Sequence, residues 1–264
     1  MYRAFYQLTS SVNRKDIAVD ELFESNNFKE AISRLEFIKD KGGFAVVSEK
    51  PGVGKTTLVR YFAEKLNPRF YKVAYAPLST VSVIDFYRQI SILLSGEAPS
   101  QKSQLFRNIQ ETILESAIDK KIIPIIIFDE AHLLKTQNFH ELQILSNFNL
   151  DSLSPALFIL IAQPYLLTLL KKTAMEAFYQ RIKIKIPVLP LSKSETLSFI
   201  AHTMKSASSS DNLFSSQALE LVYDISKGTK RIVTKVLEQA LIYGASNNLK
   251  SIDEQVIHKI TPEL

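Results

Sequence analysis

The chain has 264 residues, 46% of them hydrophobic, enough for one large or two small domains with a full core. It contains no cysteine, which excludes disulfide scaffolds, zinc knuckles, iron–sulfur sites and thiol nucleophiles. Thirty-two Lys and Arg against 27 Asp and Glu give a net charge of +5, an excess that permits a nucleic-acid partner without requiring one.

The opening MYRAFYQLTSSVNRKDI carries Arg3, Arg14 and Lys15 and no continuous apolar run, so it does not read as a signal peptide. Residues 122–128 form the longest apolar stretch, far short of a membrane span. The expectation is a soluble, cytoplasmic protein with no membrane partner.

Phe28, Ile32, Leu35, Phe37 and Ile38 recur at helical spacing and end at Gly42-Gly43, a C-cap signal. FAVVS then reads as a buried strand, and residues 56–66 as a helix stopped by Asn67-Pro68. Residues 71–75 read as a second strand. Ser82 with Asp85 opens a helix to residue 94, ended by Gly96 and Pro99, and another amphipathic helix spans 103–120. IIPIIIFDE is apolar on both faces, the pattern of a central strand in a helix-covered parallel sheet. A helix over 138–148 and strands over 156–162 and 181–186 follow. The alternation predicts an α/β fold of three layers with a parallel central sheet. After Pro187-Val188-Leu189-Pro190 only helical patterns remain, over 215–226, 230–243 and 253–259, with Ser192 and Glu195 capping an earlier one.

The segment after the first strand is EKPGVGKTT, a glycine loop between a strand and a helix, as in a P-loop. Its backbone N–H groups and the helix N-terminus form an anion cradle. The expected nucleotide-binding set is Pro51, Gly52, Val53, Gly54, Lys55, Thr56 and Thr57, with Lys55 reaching the β- and γ-phosphates and the Thr56 hydroxyl on Mg²⁺. Glu49 stands where the usual pattern opens with glycine. Two carboxylates end the IIIFDE strand. Asp129 is expected to hold the Mg²⁺ shell and Glu130 to polarise the attacking water. Three further residues fit such a site: Gln163 at the end of LFILIAQ, Arg181 acting in trans on a neighbour's nucleotide, and Arg231 opening a later helix. The expected domains are therefore a nucleotide-binding core over 1–190, including the N-terminal helical segment, and a helical lid domain over 191–264.

These residues together resemble the AAA+ ATPases, a P-loop NTPase family. Ser226, Gly228 and Arg231 are similar to its sensor-2 element, Gln163 to sensor 1 and Arg181 to its arginine finger. More narrowly, the chain resembles the ExeA/TniB/TnsC-like group. The segments that carry this are YRAFYQLTS, FKEAISRLEFIKDKGGFAVV, PGVGKTTLVRYF, IIIFDEAHLL, LQILSNFNLDS, ILIAQPYLLTLL, the QRI of Arg181 and GTKRIVTKVLEQALIYG. It departs from the group at SSVNRKDI, where Asn-Pro-Phe is usual, at Glu49, at Ala162 in place of glycine, and at Tyr165 in place of an acidic residue.

The resemblance implies ATP and Mg²⁺ as ligands and ATP hydrolysis as the activity. Secretion-type ExeA members carry a membrane anchor and a peptidoglycan-binding extension. Compact members of the MuB, TniB, TnsC and IstB type oligomerise on duplex DNA and recruit or activate a DDE-type transposase. The chain's end at Leu264, soon after the last helix, leads us to expect the compact kind. That is an oligomerising ATPase, as ring or filament, that binds double-stranded DNA largely independently of sequence and regulates transposition. The alternative is an ExeA-like ATPase of a secretion or envelope system. By the same resemblance, residues 78–107 would face DNA, with Thr80, Lys102 and Arg107 as candidate contacts.

Overall fold

The computed structural model describes residues 2–14, 16–77, 82–149, 151–207 and 213–261. In chain order the elements are α1 (Tyr2–Phe5), α2 (Asn26–Ile38), β1 (Gly43–Ser48), α3 (Lys55–Lys65), β2 (Tyr71–Ala76), α4 (Val83–Ser95), α5 (Lys102–Leu114), β3 (Ile123–Phe128) and α6 (Thr136–Leu145). Then come β4 (Leu157–Ala162), α7 (Tyr165–Leu170), α8 (Glu176–Gln180), β5 (Ile182–Pro187), α9 (Lys193–Ser206), α10 (Ser216–Ser226), α11 (Lys230–Ser246) and α12 (Glu254–Ile260). Contacts divide the chain into two units. One holds Phe28–Lys50 and Lys55–Val188; the other holds Met1–Asn27, Pro51–Gly54 and Leu189–Leu264.

The first unit is built on a parallel five-stranded sheet of order β2-β3-β4-β1-β5. The uninterrupted apolar runs IPIIIF and LFILIA lie inside it, and every residue of β4 is buried. The edge strands β2 and β5 leave several positions exposed instead. That is the burial expected when helices cover both faces of a parallel sheet. On one face Phe44, Val46, Ile126, Phe128, Phe158 and Leu160 form a core with residues of α4, α5, α6 and α8. Phe44 stacks on Phe158 at 4.9 Å between ring centres. The alternate residues Ala45, Val47, Ile125, Ile127, Ile159 and Ile161 are equally buried and face the other way. α2 and α3 carry buried stripes of their own and meet in an edge contact between Phe28 and Tyr61.

Most predicted elements fall where the spacing put them. The helix expected over 103–120 changes to π-helical turns over Glu115–Asp119. The helix expected over 138–148 runs Thr136–Leu145. The short helices α7 and α8 carry too few turns to show a period in sequence.

The second unit packs α9–α12 around Ile200, Val222, Val233, Leu237, Leu241 and Ile257. Ser192 and Glu195 form the capping box at the start of α9. By contacts, Met1–Asn27 group with the helical unit. Tyr6, Leu8 and Val12 belong to this helical core rather than to the sheet unit, and the division in the chain falls after Val188. The Tyr6 hydroxyl donates to the Leu249 carbonyl at 2.8 Å, and a Cβ at Gly244 would collide with that hydroxyl. The N-terminal segment lacks a helical or strand period, so its apolar residues gave no sign of which core they would join.

Candidate nucleotide site

The loop after β1 owes its shape to two glycines. Gly52 and Gly54 have φ of +86° and +110°, a region that side chains disfavour. α3 begins at Lys55, so the unpaired N–H groups of its first turn open toward the loop. The Lys55 ammonium is buried and donates to the Glu49 and Lys50 carbonyls at 2.7 and 3.0 Å. Glu49 keeps a negative φ, so the backbone there does not need the glycine usual at this position. Its N–H donates to the Ala162 carbonyl at 3.3 Å, and its carboxylate accepts from the Lys50 N–H at 3.0 Å. Val53 is buried, while Pro51 is exposed and Thr57 half-buried.

Asp129 follows β3 and is 8% exposed. Its Oδ2 accepts from the Thr56 hydroxyl at 3.2 Å and from the Tyr75 hydroxyl at 2.7 Å, and its Oδ1 accepts from the Glu130 N–H at 2.8 Å. A buried carboxylate beside a hydroxyl is a set of hard oxygen donors, and it fits a divalent cation such as Mg²⁺. Sequence reasoning missed Tyr75. It sits on edge strand β2 opposite Ile127, two residues before Asp129, and only the register brings the two side chains together. Burial, then the hydrogen bond to Asp129 and the charges of Asp129 and Glu130, push the Tyr75 phenol up to about 12. Glu130 has a left-handed backbone with φ of +51°, and its side chain is more than half exposed, 3.5 Å from His132 Nε2.

Register locates the remaining candidates. Ala162 pairs with Ser48, so Gln163 leaves the sheet at the same edge as the loop after β1. Arg181 lies at the opposite end of the strands. It precedes Ile182, which pairs with Phe44 near the start of β1, about 13 Å back along the strand from Ser48 at ~3.3 Å per residue. Its guanidinium pairs with Asp151 at 2.7 Å. Thus Lys55, Thr56, Asp129 and Gln163 gather at one end of the sheet, and Arg181 does not join them within its own chain.

In the helical unit, the Arg231 N–H donates to the Gly52 carbonyl at 3.0 Å, and the Arg231 side chain is exposed. A Cβ on Gly52 would lie 3.0 Å from the Arg231 Cβ, and one on Gly54 would lie 3.9 Å from the Lys230 ammonium. Burial holds Lys230 down to about 8, opposed by the Glu195 carboxylate.

The candidate DNA contacts divide. The Lys102 ammonium is bound to Glu141 at 2.6 Å, and the Tyr87 hydroxyl donates to the other oxygen of that carboxylate at 2.8 Å. Lys102 therefore pairs with a largely buried carboxylate, while its own side chain stays about half exposed. Arg107 is exposed on α5, and Thr80 lies outside the described residues.

A parallel sheet that delivers a glycine loop, a lysine, a threonine and a buried aspartate to one edge defines a P-loop ATPase of AAA+ architecture. The family model described as an AAA domain matches residues 38–170, half of the chain, and the protein belongs to that family. It is an ATPase, and the family binds nucleotide, usually with Mg²⁺. The chain is 26% identical over 246 residues to "General secretion pathway protein A" of Aeromonas hydrophila. That match covers 92% of this chain and 44% of the relative, so the chain spans less than half of the relative's length. Among solved structures it is similar to the Aeropyrum pernix ORC2 protein, with a TM-score of 0.70, 15% identity, and coverage of 97% of this chain and 72% of that one. It is also similar to Drosophila ORC bound to DNA, with a TM-score of 0.69, 15% identity, and coverage of 98% and 64%. At these identities the structures speak for the fold. Among the described residues no helix is long and apolar enough to cross a membrane.

Proposed function

We propose that this protein hydrolyses ATP at the Lys55 site while assembled with copies of itself on double-stranded DNA, and that the assembled form recruits or activates a DDE-type transposase. The observation that carries assembly is the position of Arg181, at the strand end of the sheet opposite Lys55 and Asp129. A finger placed there can serve only a neighbour's phosphates.

Thr56 and Asp129 would hold Mg²⁺, which when bound neutralises phosphate charge. The Lys55 ammonium would bind the β- and γ-phosphates, with Pro51, Gly52, Val53, Gly54 and Thr57 forming the cradle around them. The Glu130 carboxylate would take the proton of the attacking water as the bond from the γ-phosphorus to ADP breaks. Gln163 would orient that water. Arg231, tied by its backbone to Gly52, would add a second cation near the loop and serve the helical unit's role as a lid. The net charge of +5 supports phosphate contacts that ignore base sequence, with Arg107 as the better placed of the two described candidates. A DNA-bound relative in fold supports the same reading, and a cytoplasmic location belongs with it.

One observation favours a second reading, an ATPase of a secretion or envelope system: the likeness to General secretion pathway protein A over 92% of this chain. ATP turnover with and without duplex DNA, at two salt concentrations and beside Lys55→Ala, separates the two. Stimulation by DNA that weakens with salt and disappears in Lys55→Ala is the expected result. Turnover indifferent to DNA would transfer the proposal to the secretion reading.

A further inference from the structure

Tyr75 is exposed over 44% of its surface on an edge strand, where a phenol ordinarily leaves its hydroxyl in water. Here the hydroxyl turns inward to Asp129 Oδ2 at 2.7 Å, the shorter of the two hydrogen bonds on that oxygen. Among the described residues the Asp129 carboxylate thus has three donors: the Glu130 N–H on Oδ1, and the Thr56 and Tyr75 hydroxyls on Oδ2. The Glu130 N–H belongs to the next residue and the Thr56 hydroxyl sits on a short, exposed side chain. Of these donors, Tyr75 is the one that ties the carboxylate to another strand of the sheet.

We infer that Tyr75 is a positioning residue for the metal site, holding the Asp129 carboxylate in the orientation that receives Mg²⁺. The inference rests on the reading of Asp129 as a metal-site residue. A donor behind a ligating carboxylate fixes its rotation, and loss of such a partner commonly weakens metal affinity about 10- to 100-fold. A hydrogen bond to a charged group is also among the stronger kinds.

The test is Mg²⁺ titration of fluorescent ATP-analogue binding in the full chain, for the wild type, Tyr75→Phe and Asp129→Asn, with binding in excess EDTA measured alongside. Tyr75→Phe keeps the ring and removes one hydroxyl. The expected result is a half-saturating Mg²⁺ concentration raised about tenfold in Tyr75→Phe, with metal-free nucleotide affinity and Tm unchanged. Tyr75→Phe in the Asp129→Asn background is then expected to add nothing. If Asp129→Asn shifts the Mg²⁺ requirement and Tyr75→Phe does not, the role given to Tyr75 is overturned. If Asp129→Asn itself leaves the Mg²⁺ requirement unchanged, the Asp129 reading falls and the Tyr75 inference falls with it. Equal weakening with and without Mg²⁺ would make Tyr75 a structural residue only and would likewise overturn the inference.

Discussion

Lys230 shows how a side chain can be unremarkable in sequence and distinctive once folded. In KGTKRIV it reads as one more basic residue beside Arg231. In the structure burial lowers it to about 8, from 10.5 for a solvated lysine, with the Glu195 charge pulling the other way and the Phe199 ring 5.9 Å from its ammonium. Between those two values the unfolded chain holds the proton more firmly than the folded one. This group's contribution to stability therefore rises with pH across that interval and is least favourable at neutrality. Lys230→Met is expected to raise Tm at pH 7, with the gain over wild type shrinking as pH passes from 8 toward 10.5, as followed by calorimetry at several pH values. A gain of equal size at all pH values would show that packing, not the charge, sets the cost. Glu49 makes the complementary point. It stands where the P-loop pattern has glycine, yet its negative φ and its hydrogen bond to Ala162 make glycine unnecessary there.

Among the elements, β4 and its neighbours were the most legible. LFILIA and IPIIIF are too apolar for any place but the middle of a covered sheet, and they occupy it. Leu160 is fully buried in the aromatic core on one face of the sheet. Leu160→Ala is expected to cost about 2–5 kcal/mol by denaturant titration. A cost below ~1 kcal/mol would mean that the core collapses around the cavity. Helix starts with a side-chain cap were also readable, as at Ser82, Ser192 and Ser215. Elements without such marks were not. α7 and α8 are too short to show a period, and the change to π-helical turns at Glu115 follows no residue signal that we can name.

Over the whole molecule, the central question is whether one chain suffices for hydrolysis. The sheet separates Arg181 from the Lys55 end, so turnover per chain is expected to rise with protein concentration. Arg181→Ala is expected to bind nucleotide normally and lose most turnover. Mixing it with Lys55→Ala is expected to restore part of it, because each variant then supplies what the other lacks. A wild-type rate independent of concentration, or an Arg181→Ala variant with full turnover, would remove the role in trans. If Arg181 acts in trans, its guanidinium, paired here with Asp151, would exchange one anionic partner for another.

The amino-acid sequence by itself determined the strand–loop–helix of the P-loop and the order of strands and helices along the chain, and it singled out Lys55, Thr56, Asp129 and Glu130 as the candidate chemical set. Those features follow from local rules: backbone freedom at glycine, apolar periodicity, and the cost of leaving carboxylates at the end of a buried strand without a cation. Only the tertiary structure decided which core residues 1–27 join, that Lys102 is occupied by Glu141, that Tyr75 reaches Asp129, and that Arg181 stands apart from Lys55. Each of these depends on which strands become neighbours and in what register. That choice is made by the packing of distant apolar residues, and no local window of the sequence contains both partners.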